Sequence, residues 1–256
     1  MLHEDRLRAG SFGEDAEQYD RSRPRYPAAL VDRLLSDGAR RVLDVGAGTG
    51  IVSALFAERG CDVLGVEPDD RMGALARRRG IEIEEATFED WEDRGRRFDL
   101  VVSGQAWHWV DPVRGAAKAA SVLHPGGRVG VFWNQGVHRQ PLRDALVGSY
   151  RRAAPELADH SIVLGFVEGD RVEVAASAID GNGWFERAEV RDFWWSTRYS
   201  TEQWLDQLPT HSDHRTLPPP VLERLVRDVG RTLDGAGGSF EMDYRTWLVT
   251  ARRTPA

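Results

Sequence analysis

The sequence predicts an α/β fold in which a mostly parallel sheet carries helices on both faces. Three observations lead there. Short apolar runs alternate with helix-like stretches from residue 41 to residue 133. The run Val42-Leu-Asp-Val-Gly-Ala-Gly-Thr-Gly50 breaks an apolar strand into a turn with three alternating glycines, Gly46, Gly48 and Gly50. The next apolar run ends in an acid, Glu67, about twenty residues after the first glycine, where nucleotide-binding α/β folds read a ribose hydroxyl. Repeated strand–helix units lay successive strands parallel, with helices on either side.

Each element follows from local pattern. Residues 1–22 are polar and charged, with Phe12 and Tyr19 as isolated apolar points, and Pro24 and Pro27 flank Arg25 and Tyr26. Ala28 to Leu35 carries apolar residues at helical spacing and stops near Gly38. Strands are expected at 41–45, 62–67, 81–86, 98–103 and 128–133, and helices at 49–59, 70–79 and 112–122. Pro125-Gly-Gly127 is a turn signal before the fifth strand.

After Asn134 the rhythm fails, and 138–180 reads as helical with little strand character. Strand propensity returns at 184–195, a helix is expected at 201–208, and Pro218-Pro-Pro220 opens a longer helix to about Leu233. A last strand covers 240–251, and two late strands separated by an insertion pair antiparallel at the sheet edge. The expected division is therefore an N-terminal lid and first helix (1–37), a ligand-binding core (38–137), a helical insertion or cap (138–182), and C-terminal strands (183–256) that complete the sheet around a further helical insertion near 201–233.

Composition narrows the function classes. The 256 residues are 41% hydrophobic, enough for a packed core. A net charge of −7 argues against a general nucleic-acid footprint. The run Arg77-Arg78-Arg79 reads as a solvated helix end beside Gly80, favourable with the helix dipole. A single cysteine, Cys61, excludes an internal disulfide and a Cys-based zinc cluster. The charged N-terminus lacks an apolar signal region and no apolar run approaches a membrane span, so a cytoplasmic protein with no membrane partner is expected.

These segments together resemble the class I S-adenosyl-L-methionine (SAM)-dependent methyltransferases, in their small-molecule branch. The glycine turn resembles the family's first motif, and Val66-Glu67-Pro68-Asp69 its acidic ribose motif. Ala86-Thr87-Phe88-Glu89-Asp90 is similar to its adenine-flanking motif, Phe98 to Ser103 to its fourth strand, and Leu123-His-Pro-Gly-Gly127 to its fifth-strand turn. Phe12, Tyr19 and Arg23-Pro-Arg-Tyr-Pro27, with Trp107-His108-Trp109, are also similar to trans-aconitate methyltransferase-like enzymes. The resemblance implies a Rossmann-like seven-stranded sheet with an antiparallel edge strand and a helical cap. It implies SAM as cofactor, S-adenosyl-L-homocysteine as product and a small-molecule methyl acceptor as partner.

The residues expected to bind SAM follow from the ligand's chemistry. Glu67, followed by Pro68, can accept both ribose hydroxyls. Gly46, Ala47, Gly48 and Gly50 let the amino-acid part lie against bare backbone. Asp44 is an acid inside an apolar strand, suited to the SAM ammonium or to capping the turn. Arg23 or Arg25 offers a guanidinium fork to the carboxylate if the N-terminal segment folds over as a lid. Thr87 stands where many family members carry an acid, so backbone groups of Phe88 or the Glu89 side chain take over the adenine. Ser103 and Gln105 lie at the end of the fourth strand, where ligands collect in open α/β sheets.

On the acceptor side, His108 is the candidate catalytic residue, for proton abstraction or acceptor binding. Trp107, Trp109, Trp133, Trp194, Trp195 and Trp204 are candidate walls of an apolar pocket, and Asn134 is a candidate hydrogen-bond partner. His211-Ser-Asp-His214 has metal-like residue types but no third ligand, so no metal is expected. A nicotinamide dehydrogenase is disfavoured because Ile51 stands where its fingerprint wants glycine or alanine. A SAM-binding protein without catalysis, and acceptor-free hydrolysis of SAM, remain open at this level.

Overall fold

Six strands of one seven-stranded sheet run in the same direction, and the last strand of the chain, placed next to the edge, runs against them. The computed structural model describes residues 12–159, 161–164, 171–181 and 183–255. Residues 1–11 of the expected lid and residues 160, 165–170 and 182 of the expected insertion lie outside these, as does the side chain of Phe12. Strands β1 (Arg41–Val45), β2 (Asp62–Val66), β3 (Glu82–Glu84), β4 (Phe98–Gly104), β5 (Leu123–His138), β6 (Glu189–Ser200) and β7 (Ser239–Arg252) form one sheet in the order β3-β2-β1-β4-β5-β7-β6. β1 and β2 are buried along all but their first residue, the pattern of strands covered on both faces.

Helices α1 (Ala16–Ser22), α2 (Ala28–Leu35), α3 (Ile51–Ala57), α4 (Asp70–Arg78) and α5 (Pro112–Val122) follow, and α1, α4 and α5 begin on side-chain caps. Asp15 accepts from the N–H of Gln18, Asp69 from that of Arg71, and Asp111 from those of Val113 and Arg114 ahead of Pro112. One sheet face buries Leu30, Leu34, Phe56, Leu100, Phe132 and Leu248 against α2 and α3. The other buries Leu43, Val101, Val131 and Val249 with the rings of Phe88, Trp91 and Trp107.

The C-terminal half departs from the sequence reading. β5 runs for 16 residues, far past the expected 128–133. Its extension is held by an antiparallel ladder with β7, from Arg128 opposite Arg252 to His138 opposite Met242. The Pro125-Gly-Gly turn survives as a bulge: Phe98 pairs with Leu123, but Leu100 with Arg128. β6 starts at Glu189 rather than 184, and Phe185 makes only an isolated bridge to Arg253.

Helices α6 (Leu142–Ala153), α7 (Arg171–Asp180), α8 (Thr201–Gln207), α9 (Ser212–Arg215) and α10 (Pro219–Gly235) complete the chain. α7 returns to the sheet, burying Ala175 and Ile179 in the core beside α5. The others form a cap with its own core of Leu146, Tyr150, Trp204, Leu225 and Val229, seated on Met242 and Tyr244 of β7. The projecting ends of β5, β7 and β6 thus carry the cap past the parallel strands. It stands over the point where strand order reverses between β1 and β4, where ligands bind in open α/β sheets.

Inside the cap, Tyr150 Oη lies 2.7 Å from His214 Nε2, His214 Nδ1 lies 2.8 Å from Asp213 Oδ1, and Ser161 Oγ donates to Asp213 Oδ2 at 2.8 Å. His214 is therefore a core histidine. Among the described residues no group of three or more His, Cys, Asp or Glu side chains is placed to hold a metal ion. Among the same residues no helix is long and apolar enough to cross a membrane.

Candidate active site

β1 ends in the glycine turn, where Gly46, Gly48 and Gly50 have φ of +68°, +55° and +81°. Only glycine adopts such angles readily. The turn is tied to the neighbouring strand, because the N–H groups of Gly46 and Ala47 donate to Val66 O at 2.9 and 3.2 Å. Directly after β2, Glu67 is 8% exposed. Its Oε2 accepts from Gly48 N at 2.8 Å and its Oε1 from Asp69 N at 3.0 Å. Burial pushes its carboxyl up to about 7, although these two N–H bonds oppose the shift.

A single cleft runs from this carboxylate across the ends of β1 and β4 to the cap. At one end it is lined by Gly48, Glu67, Pro68, Asp69, Met72 and the segment Ala86 to Glu89. Its middle is lined by Tyr19, Arg23, Gly46, Gly104 and Gln105. The far end is lined by His108, Trp109, Asn134, Trp204, Gln207, His211, Met242 and Tyr244.

Several expected site residues line the cleft with their side chains committed to the fold. Thr87 Oγ1 donates to Asp90 at 2.9 Å, and Glu89 Oε1 accepts from Asp111 N at 2.9 Å. The Phe88 ring packs 6.5 Å from Trp91 and 6.1 Å from Trp107. Gln105, at φ +60°, donates through Nε2 to Asn134 O at 3.2 Å.

Others fall behind the lining. Ser103 is fully buried and its Oγ donates to Val45 O at 2.8 Å, bracing β1 against β4. Asp44 lies beneath the turn, fully buried, where Oδ2 accepts from Ser53 Oγ at 2.6 Å and Oδ1 has no partner among the described residues. Burial pushes its carboxyl up to about 7. Gly50 serves packing, since a Cβ there would sit 2.9 Å from Ala76 Cβ of α4. Ala47 faces a smaller annex beside Thr49 and Val52.

The two candidate arginines separate. Arg23 reaches into the cleft, donating to Thr210 O at 3.2 Å and meeting His211 Nδ1 at 3.3 Å. Arg25 is exposed, donates to Asp20 O at 3.2 Å and is absent from the lining, so of the two only Arg23 faces the cleft. The segment bearing them bridges core and cap. On the cap side, Arg21 Nη2 donates to Asp206 Oδ1 at 2.7 Å and Gln18 Nε2 to Asp206 O at 3.0 Å. On the core side, Thr49 Oγ1 donates to Asp20 at 2.7 Å, and Glu17 and Asp20 pair with Arg78 and Arg79 at the end of α4.

His108 is held by a neighbour. Trp133 Nε1–H donates to His108 Nδ1 at 3.2 Å, which occupies that lone pair and leaves the neutral ring's proton on Nε2. This works against the general-base role expected of His108 and suits a hydrogen-bond donor. Trp133 is thereby part of the core and a support for the site, whereas Trp194 is 60% exposed on the edge strand, away from the cleft. Asn134 Oδ1 accepts from Thr246 and its Nδ2 donates to Arg25 O, so its amide is already engaged.

Sequence reading missed Gln207, Met242 and Tyr244 as site residues. Their only signal was apolar or helical periodicity, which states a face and not what it faces.

Comparison with known proteins agrees with this geometry. A family model described as "Methyltransferase domain" matches residues 19–155. An uncharacterized methyltransferase of Mycobacterium tuberculosis is 44% identical over 131 residues, 48% of this chain and 52% of that protein. The chain thus spans about half the length of the curated relatives it matches. A protein described as a type II methyltransferase from Anaeromyxobacter dehalogenans superposes with a TM-score of 0.65 at 23% identity, covering 91% of this chain and 99% of that one. Phosphoethanolamine N-methyltransferase 2 of Haemonchus contortus, in complex with S-adenosyl-L-methionine, superposes with a TM-score of 0.55 at 16% identity over 100% of this chain and 60% of that one. With the family match covering more than half the chain, including the glycine turn and Glu67 at one end of the cleft, this protein belongs to the methyltransferase-domain family.

Proposed function

We propose that this protein transfers the methyl group of SAM to a small-molecule acceptor held between the sheet and the cap. The observation that carries this reading is the continuity of one cleft from Glu67 and Gly48, past Arg23 and Gln105, to a chamber walled by Trp109, Trp204, Met242 and Tyr244. A roof of cap and N-terminal segment suits a small acceptor better than a macromolecule. The methyl donor is SAM, and the residues present fit it: a turn where the nearest atom to a Cβ at Gly48 would be Met72 Cε at 3.6 Å, a buried carboxylate beside it and a guanidinium whose Nε has no hydrogen-bond partner among the described residues. When bound, SAM supplies a methyl carbon activated by its sulfonium.

The chain's own groups bind, orient and exclude water. Glu67 accepts the ribose hydroxyls with its remaining lone pairs. Gly46 and Gly48 bring backbone against the amino-acid part, and Arg23 takes its carboxylate. Asp44, one layer below, holds the turn and reaches the ammonium through water. Backbone groups of Thr87, Phe88 and Glu89 border the adenine. His108 donates Nε2–H to the acceptor and fixes its approach in line with the methyl–sulfur bond. A cytoplasmic location belongs to the same proposal.

Calorimetric titration with SAM and S-adenosylhomocysteine, followed by transfer of labelled methyl from SAM into fractionated cell extract, tests this reading. Label in the small-molecule fraction supports it. Binding of both ligands with no transfer favours a SAM-binding protein without catalysis. Absence of binding overturns it.

A further inference from the structure

Arg23, His211 and Gln207 stand in a row along the cap side of the cleft, and the hydrogen-bonding capacity of the first dictates the setting of the last. A guanidinium has donors only, so the approach of Arg23 Nη1 to His211 Nδ1 at 3.3 Å demands a lone pair on Nδ1. Burial, reinforced by the Arg23 charge, pushes the His211 pKa well below its usual value. The ring is therefore neutral and carries its proton on Nε2.

That Nε2–H must meet an acceptor, and the Gln207 amide is what it meets. The amide nitrogen lies 3.3 Å from His211 Nε2, which sets two donors face to face. At the same time Gln207 Oε1 is buried without a hydrogen-bond partner among the described residues. A half-turn of the amide exchanges two atoms of nearly equal size and turns the donor–donor contact into a hydrogen bond. Oε1 then accepts from His211, and the NH2 group takes the unpartnered position. Gln207 is 3% exposed and lines the cleft beside Trp204 and Met242.

We propose that Gln207 selects the methyl acceptor by donating its amide N–H to an oxygen, carbonyl or carboxylate, on that molecule, and that Arg23 holds it in this setting through His211. The proposal rests on the reading of the far end of the cleft as the acceptor chamber. An ammonium at the same place would meet donor against donor. Gln207 would thus be the specificity residue and His211 a positioning residue.

The test uses three probes of one size: butyramide, butyrate and butylamine, followed by saturation-transfer NMR on the full chain with S-adenosylhomocysteine present in excess. Butyramide and butyrate should bind about tenfold more tightly than butylamine. Gln207→Leu should abolish that preference, and the near-isosteric Gln207→Glu should turn it toward butylamine. Equal binding of the three, binding of none, or a preference that survives Gln207→Leu overturns the proposal. The nitrogen-15 spectrum of the ligand-free protein gives a readout needing no variant. His211 should show a protonated Nε2 and an unprotonated Nδ1, and the opposite tautomer overturns the relay. Failure of the homocysteine ligand to bind would count against the methyltransferase reading alone, because the tautomer is read without it.

Discussion

Glu67 Oε2 accepts a 2.8 Å hydrogen bond from the N–H of Gly48, so the acid that ends β2 and the glycine turn that ends β1 fix each other at the mouth of the cleft. The bond leaves the carboxylate buried but pointed, with a second N–H, from Asp69, on its other oxygen. A group so placed needs little reorganisation to take a diol.

The Glu67 carboxyl is raised by burial from 4.5 to about 7. A raised folded pKa contributes stability that is full below about pH 4.5 and is lost as pH rises through about 7. Ribose binding has the opposite preference, since the ionised form is the better acceptor. SAM affinity should therefore tighten roughly tenfold between pH 6 and pH 8. Glu67→Gln should weaken binding at pH 8 by about 2 kcal/mol, reduce the slope of the profile, and leave the ligand-free protein more stable than wild type at pH 8. Asp44, raised by burial to a similar value, contributes to both proteins and cancels in the comparison. Calorimetry across that range and thermal melts at pH 5 and 8 check this.

Two glycines of one turn should separate binding from stability. A Cβ at Gly48 would come no closer than 3.6 Å to Met72 Cε, so Gly48→Ala strains only the backbone, by about 1–2 kcal/mol, while intruding on the cleft. Its SAM affinity should fall tenfold or more in a folded protein. A Cβ at Gly50 would press within 2.9 Å of Ala76 Cβ. Gly50→Ala should lower the melting temperature more and SAM affinity less. Equal binding losses would show that the turn acts only through the fold.

With Trp133 donating to Nδ1, His108 acts as a donor through Nε2. His108→Ala should cut kcat/KM for methyl transfer at least tenfold while SAM affinity stays within about twofold. Trp133→Phe should cost less but alter the pH dependence, because the tautomer is no longer fixed. A full loss of SAM binding in His108→Ala would reassign the residue to the cofactor.

Asp213 is buried, which alone would raise its pKa, yet the hydrogen bond and charge of His214 with the Ser161 hydroxyl hold it well below the usual carboxylate range. A depressed folded pKa contributes stability present above about pH 3.8 and lost as pH falls through the lower folded value. Asp213→Asn should destabilise the cap by about 3 kcal/mol at pH 7, with the gap to wild type narrowing below pH 4. Thermal melts across that range report it.

The parallel half of the fold was legible because its signals are local. β1 and β2 lie within a residue of their expected bounds, and Gly46, Gly48 and Glu67 line the cleft, while Gly50 packs against α4 instead. The antiparallel half was less so. The length of β5 is set by β7, more than a hundred residues away, and no property of Asn134 to His138 announces that ladder. Arg23 and Arg25 end in different places although two residues apart, Arg23 on Thr210 and His211 of the cap and Arg25 on the carbonyl of Asp20, and no local pattern announces which arginine meets the cap.

The sequence by itself determined the α/β class, the strand–turn–helix unit at Gly46 to Gly50 and the acid that follows it. These depend on periodicity and on backbone angles that individual residues permit or forbid. Tertiary structure alone decided which side chains meet in the cleft. Gln207 at the end of α8, His211 just before α9 and Tyr244 on β7 reach it from separate parts of the chain, Ser103 and Asp44 are drawn beneath it, and Trp133 chooses the lone pair of His108. Such choices arise from close packing between distant segments, where a rotation of one strand face or one amide exchanges a binding group for a structural one.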